Sequence, residues 1–214
     1  MNNKVVIISE VNNRHQALEA ALEQSSFWEK LEESLKKSEV PKEAFTIFIK
    51  PDMEFYAPNA PTGTDPALVE HLVDLLAEKG FTNILIGEAL QVADMWLENR
   101  DVMVLADLVG YQFVTAQGND YEIVNLSEDL VAVDFPDTTT FSSAPLSEHW
   151  LQAHFRINFA KNKTDQEHGF ALALQNLMGI LPLKAKDYHY FHRWTAPEVM
   201  TDLLGNTRID FTLI

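Results

Sequence analysis

The sequence contains no cysteine among its 214 residues. This absence excludes disulfide bonds, thiolate zinc sites, cysteine nucleophiles and cysteine-bound iron–sulfur clusters within the chain. There is no apolar run of about 18 residues, and the N-terminus lacks the basic, apolar and small-residue pattern of a secretory signal. We therefore expect a cytoplasmic location and no membrane contact.

Glycine is also scarce, and the eight glycines are dispersed along the chain. Neither of the glycine-rich spacings that cradle nucleotide phosphates occurs. The sequence therefore disfavours dinucleotide binding, and it requires no cofactor.

Basic residues are half as frequent as acidic ones, with 16 Lys and Arg against 32 Asp and Glu and a formal charge of −16. Binding of nucleic acids or anionic membranes depends on a basic surface, so neither is expected as a partner. Residues 80–155 contain a single basic residue, Arg100, whereas residues 156–193 contain six basic and three acidic residues. This distribution predicts a locally cationic segment; the alternative is that the lysines are scattered over a surface solvated by acidic residues.

Hydrophobic periodicity predicts alternating strands and helices. A hydrophobic fraction of 46% with 22% charged residues is typical of a globular chain, and we expect one domain over residues 1–214. The predicted strands are 4–8, 44–49, 83–86, 121–126, 131–135, 154–159 and 208–214. The predicted helices are 15–37, 66–79, 91–109 with a break near Asn99, and 167–178.

This alternation predicts the fold class, because strand–helix–strand units pair in parallel through right-handed crossovers. We expect an α/β three-layer sandwich, with a mainly parallel or mixed sheet and helices on both faces. The strands at 121–126 and 131–135 would form a hairpin, and 136–145 would be a loop. The chain stops inside its last predicted strand, so we expect a piece truncated at the C-terminus; the alternative is a natural terminal strand.

Polar residues follow three of the predicted strands. Lys50 and the loop to Thr64 and Asp65 follow the first of these strands, and Gly87 and Glu88 follow the second. The third strand is followed by Lys161, Lys163 and Thr164. In a parallel sheet these ends share one edge, where ligands of α/β proteins bind beside helix N-termini. We predict a pocket in which the three lysines hold a phosphate or carboxylate, with Thr64 or the amides after Asp65 as donors.

Each of these residues also has an ordinary structural role. Asp65 before Pro66 is typical of a helix N-cap. Lys50 before Pro51 sits in extended backbone and could be a solvated loop lysine. Glu88 is either a general base or the ion-pair partner of one of the lysines.

Three histidines, His168, His189 and His192, raise the question of a metal site. Their surroundings lack a clear helical pattern, and no glutamate completes a metalloprotease motif. We therefore predict no metal.

Four short motifs resemble one known family. They are Lys50-Pro51, Thr64-Asp65-Pro66, Lys161-Asn162-Lys163-Thr164 and Asn176-Leu177-Met178-Gly179. Over residues 45–192 the chain is similar to the domain of unknown function 362 family. The resemblance implies that Asn176, Lys186 and His189 approach the same pocket as the lysines.

The chain departs from the family pattern at several positions. Asp52 stands where asparagine is usual, Ala160 where proline is usual and Asp165 where histidine is usual, while Gln175 replaces a lysine. These changes imply a weakened anion site or altered activity. Relatives of this kind often carry ferredoxin-like modules, so the resemblance implies an iron–sulfur protein as a candidate partner.

Two classes of function follow. In the first, the protein binds a small anionic molecule or acts on it, with a lysine stabilising negative charge and Glu88 or His189 exchanging a proton. In the second, it is a non-catalytic interaction or accessory module that serves a redox partner. The sequence leaves the reaction and the oligomeric state open.

Overall fold

The structure is a computed structural model that describes residues 4–9, 13–53, 56, 62–89, 101–136, 138–165, 169–182 and 192–214. Its centre is a five-stranded sheet in which every pairing is parallel, and its strands lie in the order 122–125, 84–88, 47–51, 155–159 and 211–213. The strands of this sheet are β1 (Ile47–Pro51), β2 (Ile84–Glu88), β3 (Glu122–Asn125), β6 (Phe155–Phe159) and β9 (Phe211–Leu213). Two antiparallel pairs lie outside it, formed by β4 (Leu130–Asp134) with β5 (Ser143–Ser147) and by β7 (Lys163–Asp165) with β8 (Gly169–Ala171).

Seven α-helices occur in the described ranges. They are α1 (Arg14–Gln24), α2 (Phe27–Ser38), α3 (Pro66–Glu78), α4 (Val102–Val109), α5 (Glu148–Gln152), α6 (Ala173–Asn176) and α7 (Ala196–Asn206). Short 3-10 helices cover Lys42–Ala44 and Leu177–Ile180.

Alternate residues of the central strands enter two separate hydrophobic cores. Ile47 and Ile49 of β1 pack with buried residues of α1, α2, α3 and α4. Phe48, between them, packs on the other side with the β4–β5 pair and with Trp150 of α5 and Val199 of α7. Side chains alternate across a strand, so a continuous apolar run supplies both cores. The expected α/β sandwich, with a mainly parallel sheet and helices on both faces, is confirmed.

Most of the predicted elements are present. The strands near 44–49, 83–86, 121–126, 131–135, 154–159 and 208–214 correspond to β1, β2, β3, β4, β6 and β9. The helix predicted at 66–79 is α3, which ends before Gly80 in the left-handed conformation at φ 86°. Of the helix predicted at 91–109, the described part is α4, and residues 91–100 lie outside the described ranges. No described helix is long and apolar enough to cross a membrane.

The strand predicted at 4–8 is wrong. These residues have no regular secondary structure, and Val5 and Ile7 are each 85% exposed. An apolar run indicates a strand only where a neighbouring strand pairs with it, and no backbone hydrogen bond joins residues 4–9 to another described residue.

The single helix predicted at 15–37 is also wrong, because α1 and α2 are separate. Ser25 is extended, its N–H donates to Ala21 O, and its hydroxyl donates to Leu22 O. Serine competes for helix hydrogen bonds in this way and ends the first helix. The change of direction between α1 and α2 places Phe27 in the core, where its ring contacts Phe155 and Phe211.

The hairpin predicted between 121–126 and 131–135 does not form. Ile123 and Val124 of β3 lie in opposite cores, and β3 pairs in parallel with β2 at one edge of the central sheet. β4 pairs instead with β5, which occupies part of the loop predicted at 136–145.

The helix predicted at 167–178 is replaced by β8, the short α6 and a 3-10 helix. Gly169 adopts φ 80°, a left-handed conformation that does not continue a helix. Residues 166–168 lie outside the described ranges.

The packing of Phe27 against Phe155 and Phe211 predicts that this side chain contributes strongly to stability by attaching α2 to the sheet. Phe27 is fully buried, and its ring centroid lies 4.9 Å from that of Phe211. Phe27→Ala should destabilise the chain by about 3–5 kcal/mol, measured by denaturant unfolding. The matched control Phe170→Ala, at a side chain 65% exposed, should change stability by less than about 0.5 kcal/mol. Equal effects of the two variants would contradict this packing.

Candidate functional site

The carboxyl ends of β1, β2 and β6 lie side by side at one edge of the sheet. Their parallel registers place Lys50 opposite Asn158 and Ile49 opposite Ile86. The segment that leaves β1 is tied to the end of β6 through Thr64, whose hydroxyl donates to Phe159 O at 2.7 Å. These ends, together with the 173–180 segment, form the candidate site.

Lys50 lies at the centre of the site and is fully buried. Its Nζ donates to Glu88 Oε2 at 2.8 Å, to Asn176 Oδ1 at 2.9 Å and to Pro51 O at 2.9 Å. An ammonium group has three N–H donors, so all of them are used inside the protein. A ligand could contact Lys50 directly only by displacing one of these acceptors.

Glu88, which is 1% exposed, is the ion-pair partner of Lys50. Its Oε2 also accepts from Met53 N at 3.3 Å, and its Oε1 accepts from Ala89 N at 3.1 Å. The ion-pair role considered for Glu88 is therefore observed. A role as general base stays a prediction, and it would have to operate against the nearby ammonium charge.

Two asparagines connect this pair to the neighbouring elements. Asn176 Nδ2 donates to Asn158 Oδ1 at 2.7 Å and to Lys50 O at 3.2 Å. Asn158 Nδ2 in turn donates to Ala173 O at 2.9 Å. Sequence reasoning missed Asn158, although a polar residue in a strand otherwise buried on both faces was a signal. The amide chain attaches α6 to the sheet.

Gly179 packs directly against the ion pair. A Cβ atom at this position would lie 1.9 Å from Glu88 Oε1 and 2.3 Å from Lys50 Nζ. The Gly179 carbonyl also accepts from Ala89 N at 2.8 Å. Only glycine allows the backbone to approach the two charged groups this closely.

A second ion pair lies nearer the surface. Lys163 Nζ is 2.9 Å from Asp52 Oδ2 and 3.2 Å from Asp52 Oδ1, and the Lys163 side chain is 20% exposed. Thr64 holds the segment that carries Asp52, because Thr64 N donates to Asp52 O and Asp52 N donates to Thr64 Oγ1, both at 2.8 Å. Sequence reasoning noted Asp52 only as a departure from the family pattern, since its partner is far away along the chain.

The remaining predicted residues are less closely associated with the ion pairs. Asp65 caps α3 by accepting from Ala67 N at 3.1 Å, and it forms an ion pair with Arg14. Lys161 is partly exposed, and no ion pair joins it to another described residue. Thr164 is exposed on β7. Lys186 and His189 lie outside the described ranges, as do His168 and Glu167.

The site therefore has two electrostatic layers. The buried layer, Lys50 with Glu88, is neutral as a pair and fully hydrogen-bonded. The outer layer holds the Asp52–Lys163 pair and Lys161. Within the described ranges no group of three or more His, Asp or Glu side chains could hold a metal ion.

Comparison with known proteins identified one family. The family model described as Domain of unknown function (DUF362) matches residues 47–214. The matched range includes every strand of the site and both of its ion pairs. Searches among curated proteins and among solved structures found no match.

The close approach of Gly179 predicts that even a methyl group is not tolerated there. Gly179→Ala should destabilise the protein by about 1–3 kcal/mol, because the ion pair must move away from the new Cβ. The matched control is Gly205→Ala, since nothing lies within 4 Å of a Cβ built at Gly205. The control should be neutral or stabilising by up to about 1 kcal/mol in denaturant unfolding. Equal destabilisation of both variants would contradict the packing described.

The buried ion pair predicts that substitutions of Lys50 and Glu88 have non-additive effects on the free energy of unfolding. Lys50→Met should destabilise the protein by about 3–5 kcal/mol, because it leaves the Glu88 carboxylate buried without its cation. The double variant Lys50→Met, Glu88→Gln should lose less stability than the sum of the two single variants.

A matched surface control is Lys37→Met, which removes an exposed lysine 4.0 Å from Glu33. Its effect on the free energy of unfolding should stay below about 0.5 kcal/mol. Additive effects of Lys50→Met and Glu88→Gln would show that the two side chains do not interact.

Proposed function

We propose, from the premise that this chain belongs to the DUF362 family of domains of unknown function, that the carboxyl edge of its sheet binds a small anion. The ligand class is a molecule carrying a phosphate or a carboxylate. The observation that carries the proposal is the pair of lysines, Lys161 and Lys163, that follows β6 beside the buried Lys50–Glu88 pair.

Lys163 is the better supported ligand contact. Its ammonium group already binds a carboxylate, that of Asp52, and its side chain is partly open to solvent. A phosphate or carboxylate ligand offers the same oxygen acceptors as Asp52 and can replace it or share the lysine with it. Lys161, two residues earlier, adds a second positive charge on the same segment.

The buried pair supports this site without contacting the ligand. Lys50 uses its donors on Glu88, Asn176 and Pro51, and it thereby fixes the ends of β1 and β2 and the 173–180 segment. In this proposal Lys50 positions the site, and the lysines after β6 bind the anion. Proton transfer by Glu88 or His189 would turn such a binding site into an active site, and it stays a prediction from the sequence.

A specific observation favours the second function, a non-catalytic interaction module. Phe170 of β8 is 65% exposed, and Leu174 of α6 is 47% exposed. Phe170 lies opposite Thr164 on β7, so its ring is displayed on the same face of the β7–β8 pair as the exposed Thr164. Exposed aromatic and aliphatic side chains on neighbouring elements are typical of protein contact surfaces.

Thermal unfolding against a panel of small phosphates and carboxylates tests the anion site. A ligand present at one hundred times its Kd should add about 2.7 kcal/mol of stability to the wild type. This gain in stability should disappear in the double variant Lys161→Ala, Lys163→Ala. It should persist in the control double variant Lys36→Ala, Lys37→Ala, which removes two exposed lysines from α2. Asp52→Asn should increase the shift at a fixed ligand concentration, because Lys163 loses its competing carboxylate.

Two results would overturn the proposal. A panel in which no anion stabilises the wild type would exclude the site and favour the interaction module. A shift of equal size in both double-lysine variants would place anion binding elsewhere on the protein.

A further inference from the structure

The N-terminal segment, residues 4–8, has a sequence typical of a β-strand, but no described strand pairs with it. Four consecutive β-branched residues, Val5 to Ile8, are typical of a strand covered on both faces. In the structure Val5 and Ile7 are each 85% exposed, and no backbone hydrogen bond joins the segment to another described residue. An exposed run of this kind is a site for pairing with another strand.

The sheet offers a matching acceptor at β9. In the described sheet this strand pairs only with β6, so its other edge has no partner strand among the described residues. Ala160 N donates to Leu213 O at 2.9 Å, so Leu213 faces β6. The backbone groups of successive strand residues point to opposite edges, so the N–H and C=O of Thr212 face outward. An incoming strand could pair with these groups.

The segment and the acceptor lie on the same side of the molecule. Lys4 Nζ donates to Gln24 O at the end of α1. Phe27, three residues further on, packs its ring against Phe211 of β9. The segment therefore begins on the same side of the sheet as α1 and α2, with Val5 and Ile7 exposed to solvent there.

We propose that residues 4–8 of one copy of this chain add a strand to the open edge of β9 in a second copy. A two-fold axis makes the exchange reciprocal, so that both segments and both edges are paired. Each added strand would bury the side chains of Val5 and Ile7 and supply acceptors and donors to Thr212. The proposal does not depend on the anion site, which lies at the carboxyl edge of the sheet.

The molecular mass in solution tests this interface, measured by light scattering after size-exclusion chromatography. The wild type should be a dimer, and Ile7→Lys should be a monomer. Ile7 is so exposed that the variant should fold normally. The control Leu204→Lys adds the same charge at a leucine of α7 that is 47% exposed, and it should remain a dimer. A monomeric wild type, or a dimeric Ile7→Lys variant, would overturn the proposal.

Disulfide trapping identifies the contact, because the natural chain has no cysteine. Chains with one cysteine at each of positions 5 to 8 in turn are mixed with Thr212→Cys chains and oxidised. At least one position should give a covalent dimer of the two different chains. Absence of this product at all four positions would exclude β9 as the acceptor. A chain carrying both cysteines that closes only on itself would show pairing within one copy and would also overturn the proposal.

Discussion

The ion pair between Lys50 and Glu88 is the constraint on which the carboxyl edge of this sheet depends. Removing two charged groups from water costs several kcal/mol for each ion, so a buried pair is tolerated only when its hydrogen bonds are satisfied. Asn176 and the Pro51 carbonyl accept from Lys50, and the Ala89 amide donates to Glu88. The need to satisfy the hydrogen bonds of this buried pair therefore fixes β1, β2 and the 173–180 segment relative to one another.

This requirement explains local features that appear unrelated along the chain. Residue 179 must be glycine because its backbone passes directly over the two charged groups. Residue 176 must be an amide, since one side chain accepts from Lys50 and donates to Asn158. These residues are more than a hundred positions from Lys50, so long-range contacts hold the site together.

The outer ion pair repeats the same chemistry at the border with solvent. Asp52 and Lys163 neutralise each other where the Lys163 side chain is partly exposed. Lys163 is partly open to solvent although Asp52 is buried, so this pair can be rearranged at a lower cost than the fully buried Lys50–Glu88 pair. A site that can exchange one carboxylate for another is suited to anion binding. The net charge of −16 therefore does not prevent a local cationic contact.

Sequence periodicity predicted the elements that depend on local pattern. β1 and β6 were found because their apolar runs supply both cores, and α3 was found because Asp65 and Pro66 mark its start. Periodicity gave wrong predictions where the formation of a strand depends on pairing with a neighbouring strand. Residues 4–8 have a strand's composition but no neighbour, and β8 depends on pairing with β7.

The same limit applies to the site. The convergence of Lys50, Glu88 and Lys163 followed from the shared edge of parallel strands. The choice of partners did not follow, because Lys50 could have bound a ligand and instead binds Glu88. Asn158 was overlooked since it lies inside an apolar strand, and the Asp52–Lys163 pair joins residues 111 positions apart.

The most direct test of this account is an NMR spectrum selective for lysine ammonium groups, recorded on protein labelled with nitrogen-15. A fully buried ammonium with all donors used should give a resolved Lys50 signal whose protons exchange slowly with water, unlike those of surface lysines. The signal is assigned by its loss in Lys50→Met, and Glu88→Gln should shift it strongly. If no lysine has slowly exchanging ammonium protons, the buried ion pair is absent and the account of the site is contradicted.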